Sequence, residues 1–301
     1  MVTGRVEELA LAAALNQIFP EASFSTIKKD AGTTPRLPAP DGQARAQFRN
    51  FVDEMLAAGD VERVPGGRPF DYVAVIDDLE LSNADQPAVV VEHMAFAARR
   101  RLDELASSAP VPSLPKGKNR GWSYLSTNED RRAYLRDRCS FHLLSPMVES
   151  LFFGERAGET WSALKRAGAV RDPVFDPAVT DIEHFVTADK EYLTSGADAS
   201  WTSGAAREPT WRARHPKHYL SFLCDPAGQS TRPYKERDGG RSALSSLDWE
   251  SVVAPSHHAR MVRSLLSDVA DMVGMAHSFL DAGAQHPLTC LKAGGVLRNI
   301  S

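Results

Sequence analysis

The sequence predicts an α/β protein: a small parallel sheet flanked by helices, with a further helical region toward the C-terminus. Three observations carry that reading. The run "DYVAVID", residues 71–77, is apolar at nearly every position, as in a strand buried on both faces of a parallel sheet. A helical pattern follows at 86–106, with Val90, Met94, Ala98, Leu102 and Leu105 in register, so a strand feeds a helix as in a βα unit. A second segment, "RCSFHLLSPMVESLFFGE" (Arg138 to Glu155), reads as a strand turning into a helix that carries Glu149.

The other elements follow in order. Residues 6–18 repeat apolar side chains at helical spacing through Val6, Leu9, Leu11, Leu15 and Ile18, and Phe19-Pro20 ends that helix. Residues 21–41 read as a strand fragment and loop. Residues 42–58 read as an amphipathic helix with Phe48, Phe51, Val52, Met55 and Leu56 on one side. Residues 107–128 read as loop, 157–168 as continued helix and 170–214 as a long irregular insertion. "HPKHYLSFLC" reads as a short helix starting near Pro216, a residue suited to a first turn. "YKERDGGRSALSSLDWESVV" reads as a glycine-marked turn and short helix. Residues 256–281 read as a long helix with Met261, Leu265, Val269, Met272, Ala276 and Phe279 on one face.

Composition narrows the function. Of 301 residues, 43% are hydrophobic and 25% charged, enough apolar material for a sizeable core. A net charge of -4 argues against a surface coated in basic charge, though not against a local basic patch. Three scattered cysteines, Cys139, Cys224 and Cys290, argue against a disulfide framework or structural zinc site and suit a reducing cytoplasm. "MVTGRVEELALAAAL" is broken by Glu7 and Glu8 and does not read as a signal peptide. No apolar stretch of about 18 residues suggests a membrane span. The chain has no GxxxxGK[ST] phosphate loop, no GxGxxG and no GxSxG elbow.

The stretch "FDYVAVIDDLELSN" raises the sharpest question: an apolar strand ends on Asp77, Asp78 and Glu80. A buried parallel strand delivers its last residues to the carboxyl edge of the sheet, where α/β proteins bind ligands. Asp78 and Glu80, two apart, point the same way if the chain stays extended. Crowded carboxylates repel, and a hard divalent cation relieves them; Mg²⁺ takes carboxylate oxygens and keeps waters that a phosphate replaces. The same acids also suit a solvated turn or a helix cap.

Four segments in order resemble the Toprim-like family of the overcoming-lysogenisation-defect nucleases and related abortive-infection proteins: "VTGRVEE" (Val2 to Glu8), "VAVIDDLE" (Val73 to Glu80), "HLLSPMVESLFFGE" (His142 to Glu155), and "HPKHYLSFL" with "YKERDGGRSALSSLDWE" (His215 to Glu250). The resemblance implies a Toprim-like core over 1–170. Over 171–301 it leaves the irregular insertion and C-terminal helical elements packed on that core, the whole also reading as one continuous domain. It implies a nucleic-acid phosphodiesterase using Mg²⁺ or Mn²⁺, acting with a partner ATPase encoded nearby in phage defence, with a homo-oligomer as a further option. Glu7, Asp78 and Glu149 are then the catalytic acids, and Glu7, Asp77, Asp78 and Glu80 the metal ligands. Two departures favour an alternative, a degenerate subunit that binds a partner without catalysis. The family's first glutamate is Thr3 here, and no full strand precedes that turn.

Other residues admit two readings each. Glu7 sits where a helix dipole wants an acid. Glu149 is either functional or paired with an arginine, and His142 is a hydrogen-bonded structural residue before it is a ligand. "WRARHPKHY" interleaves Arg212, Arg214, Lys217 and His218 with Trp211 and Tyr219, as a nucleic-acid contact or as a solvated helix start. Lys116, Lys118 and Arg120 form a second small basic patch.

Overall fold

The computed structural model describes residues 1–28, 36–59, 70–107, 125, 127–156, 160–175, 181–195, 209–228, 234–254, 258–276, 280 and 283–301. Its elements are α1 (Arg5–Ile18), α2 (Ala46–Ala58), β1 (Val73–Asp78), α3 (Glu80–Asn83), α4 (Pro87–Ser107), α5 (Asn128–Arg138) and β2 (Cys139–Leu144). They continue with a 3₁₀ turn (Val148–Phe153), α6 (Ser162–Ala167), α7 (Lys190–Thr194), α8 (Pro209–Ala213), α9 (Pro216–Cys224), a π turn (Glu236–Gly240), α10 (Arg241–Ser245), α11 (Trp249–Val253) and α12 (Arg260–Val273).

β1 and β2 pair in parallel, with Val73 opposite Cys139 and Asp78 opposite Leu144. The coarse α/β class is therefore present: a two-stranded parallel sheet flanked by helices. The two-residue period of a strand divides the side chains between two cores. Val73, Val75, Phe141 and Leu143 pack with α2, α4 and α5. Ile76 and Leu144 pack with α1, the 3₁₀ turn and the C-terminal helices. The N-terminal residues extend the sheet. The Met1 carbonyl accepts the Ile76 N–H at 2.8 Å, and the Val2 N–H donates to the Ile27 carbonyl at 2.9 Å. A short pairing thus stands where the sequence suggested none. α1 packs on α10 and α12 on β2, so both ends of the chain serve the same sheet.

Between β2 and α12 lies a buried polar knot. The Tyr72 hydroxyl donates to Asp268 Oδ2 at 2.7 Å, His142 Nε2 lies 3.0 Å from that oxygen, and Arg298 Nε donates to Oδ1 at 2.6 Å. Burial alone would raise the Asp268 carboxyl, but the hydrogen bonds outweigh it and pull its pKa to about 2. His142 is thus held within the fold. Ser140 Oγ and Asp268 meet the same His142 nitrogen, and all three side chains are buried, so they do not form a nucleophilic relay.

Several elements are shorter than the sequence suggested. α12 stops at Gly274, whose φ of 71° is left-handed and lets the Met275 N–H close back on the Ala270 carbonyl. α6 ends the same way at Gly168, φ 105°. The segment after β2 forms a 3₁₀ turn rather than an α-helix, ended by Gly154. The insertion over 170–214 contains α7 and α8. The basic patch at Lys116, Lys118 and Arg120 lies outside the described residues, as does Phe279. Among the described residues no helix is long and apolar enough to cross a membrane.

Candidate functional site: an acidic cleft at the end of β1

Period two carries Asp78 to the same face as Ile76, toward α1. There Asp78 Oδ1 accepts the Val148 N–H at 3.1 Å and caps the 3₁₀ turn. Glu149, one residue on, is buried and accepts the Tyr234 hydroxyl at 3.1 Å. Glu7 comes from the first turn of α1, which Gly4 caps. Its carboxylate folds back over that glycine so closely that a Cβ on Gly4 would lie 2.2 Å from Glu7 Oε2. Glu80 follows β1 with a φ of 53°, a left-handed conformation that a non-glycine residue adopts only under constraint.

The facing wall is built by "HPKH". His215 is the N-cap of α9, its Nδ1 accepting the His218 N–H, and Pro216 takes the first helical position. Lys217 and His218 then fall in the first turn. Lys217 Nζ pairs with Glu236, which the π turn supplies. The His215 and His218 rings stack at 3.8 Å and 10°. Together these segments enclose a cleft of about 330 Å³ lined by Glu7, Asp78, Glu80, Glu149, Lys217 and Glu236, with His215, His218 and Arg5 beside them.

Burial raises Glu7, Asp78, Glu80 and Glu149. Glu7 rises to about 8 through desolvation, with Glu149 and Asp77 adding repulsion and the abutting Asp78 carboxyl lowering it. Asp78 is raised well above its ordinary value by desolvation, then by Glu7, Glu80 and Glu149. Glu80 rises to about 7, mainly through burial and Glu149. Glu149 is raised by burial and eased by Lys217. Lys217 is raised too: burial would lower it, but Glu149 and Glu236 outweigh that and hold it charged. Burial and then neighbouring cations keep both histidines neutral, His215 at about 3 and His218 at about 4. Glu7 Oε1 is buried without a hydrogen-bond partner.

The structure brings Glu7, Asp78, Glu80 and Glu149 together from three chain-distant segments. It does not bring Asp77 with them. Asp77 falls on the opposite face of the strand, outside the cleft lining, and accepts the Thr3 hydroxyl at 2.7 Å. Nor does the chain stay extended through Glu80; the turn, not strand period, returns that side chain to the cleft. Glu149 meets Tyr234 and Lys217 rather than an arginine. Among the "WRARHPKHY" residues, Lys217 is a cleft wall and Arg214 is exposed. Arg212 is buried, its guanidinium donating to the carbonyls of Tyr192, Leu193 and Ser195, so it is spent inside the fold and not presented to nucleic acid. Tyr219 is fully buried as well. Sequence reasoning gave no role to Tyr234, Glu236 or His215. The signal was present, because "YKE" and "HPKH" both stand in segments that carry the resemblance.

Among the described residues, no three His, Cys, Asp or Glu side chains stand in a group that would hold a metal ion as it is. No protein-family model, curated protein or solved structure matches the chain.

Proposed function

We propose that the chain is a Toprim-like, metal-dependent phosphodiesterase acting on nucleic acid. The observation that carries this reading is the cleft itself: four carboxyls raised by burial and mutual repulsion, one with an orphaned buried oxygen, at the carboxyl end of a parallel strand. That donor set fits Mg²⁺ or Mn²⁺. These ions keep several waters and need only one or two carboxylates plus a substrate phosphate, so a finished protein cage is not required. Glu7, Asp78, Glu80 and Glu149 would hold the ion, which would polarise the phosphoryl group and lower the pKa of bound water. Lys217, held charged by Glu149 and Glu236, faces the developing phosphate charge from the opposite wall. A partner ATPase and a role in phage defence rest on the resemblance alone.

A second reading has its own observation. Thr3 takes the position of the family's first acid and spends its hydroxyl on Asp77, as a subunit that binds without cleaving would allow. Plasmid incubated with Mg²⁺ or Mn²⁺ separates the two. Cation-dependent nicking by the natural chain that Asp78→Ala abolishes supports the enzyme; equal residual cleavage by both removes it.

A further inference from the structure

Three aromatic rings form a continuous column beside the cleft. The Trp211 indole, 36% exposed on α8, meets His215 edge-on at 5.2 Å. His215 stacks on His218 at 3.8 Å, and both histidines line the cleft. The column therefore runs from open surface to the acidic wall. His215 is itself buried between the Trp211 indole and the His218 ring, so bases meet the column at its two ends, Trp211 and His218.

We propose that Trp211, His215 and His218 form a stacking rail that delivers an unpaired nucleic-acid strand to the acidic cleft. This rests on the phosphodiesterase reading and names its substrate class. Stacking on aromatic side chains suits single strands because every base has a π-face. Charge points the same way. Duplex DNA presents one phosphate per about 1.7 Å and a single strand about half that density, so a strand meets less repulsion from the acids. A cleft of about 330 Å³ is at the small end of ligand sites, the size of one nucleotide rather than a duplex.

The test is fluorescence anisotropy with a fluorescein-labelled oligonucleotide of about 16 nucleotides, single-stranded or annealed, with calcium replacing magnesium to hold turnover. The natural chain is expected to bind the strand at least about tenfold tighter than the duplex. Trp211→Ala is expected to weaken strand binding about tenfold and leave duplex binding unchanged, while Trp211→Phe keeps strand affinity. Unchanged strand affinity in Trp211→Ala, a preference for duplex, or no strand binding by the natural chain would each overturn the rail. Hydrolysis of bis(p-nitrophenyl) phosphate, too small to need the rail, reads the catalytic proposal separately. Strand binding lost in Trp211→Ala without ester hydrolysis by either chain keeps the rail and removes catalysis; the converse removes the rail alone.

Discussion

Replacing Glu7 by glutamine tests the strain in the cleft directly. Folding moves the Glu7 carboxyl from 4.5 to about 8, mainly by burial. At about 1.4 kcal/mol per pH unit, that difference corresponds to about 5 kcal/mol once the pH passes 8. The sign follows from proton uptake. Between pH 4.5 and 8 the folded chain holds a proton that the unfolded chain has released, so stability falls as pH rises through that window. The contribution is complete below 4.5 and gone above about 8. Glu80, raised to about 7, adds a loss of the same sign. Glutamine has nearly the shape of the protonated acid and carries no charge at any of these pH values. Glu7→Gln should therefore match the natural chain near pH 5 and exceed it at pH 9. For 301 residues, 5 kcal/mol corresponds to about 8 °C in melting temperature. Thermal melts from pH 5 to 9 in EDTA measure this. Added Mg²⁺ should recover part of the loss at pH 9 in the natural chain and little in the variant. A natural chain whose stability is flat or rises over the window, or a variant no more stable at pH 9, would refute the reasoning.

Asp268→Asn should lower stability by about 3–5 kcal/mol, because it removes the buried charge that Tyr72, His142 and Arg298 share and leaves Arg298 only its exposed partner Asp271. Urea denaturation checks it, and a loss below about 1 kcal/mol would mean the knot contributes little. Gly4→Ala leaves the backbone unstrained at φ -87°, but its Cβ must displace the Glu7 carboxylate. The melting temperature in EDTA should barely change while the Mg²⁺-induced rise disappears. A full Mg²⁺ response in that variant would show that Glu7 does not serve the cation.

The strands and long helices were legible because each follows one local rule. Val73–Ile76 is apolar in the way a doubly covered strand demands, and α4 keeps its apolar stripe for 21 residues. The end of α12 was legible too, in Gly274, although the apolar stripe beyond it suggested a longer helix. Asp77 was separable from Asp78 by strand period alone, since neighbours on a strand face opposite ways. Glu80 was not, because its left-handed turn depends on tertiary contacts that no spacing records. Lys217 read as a basic surface residue because its partners are remote in sequence: Glu149 lies 68 residues before it and Glu236 lies 19 after it. Arg212 read the same way until the carbonyls of Tyr192, Leu193 and Ser195 claimed it.

The order in which the walls are made matters during synthesis. Glu7, Asp78, Glu80 and Glu149 all leave the ribosome before Lys217, and α1 must wait still longer for α10. Until then a nascent chain carries its mutually repelling acids with no lysine beside them, and the first helix lacks its packing partner. Segments made late, from Lys217 to α10, are what close a cleft begun by Glu7 and α1.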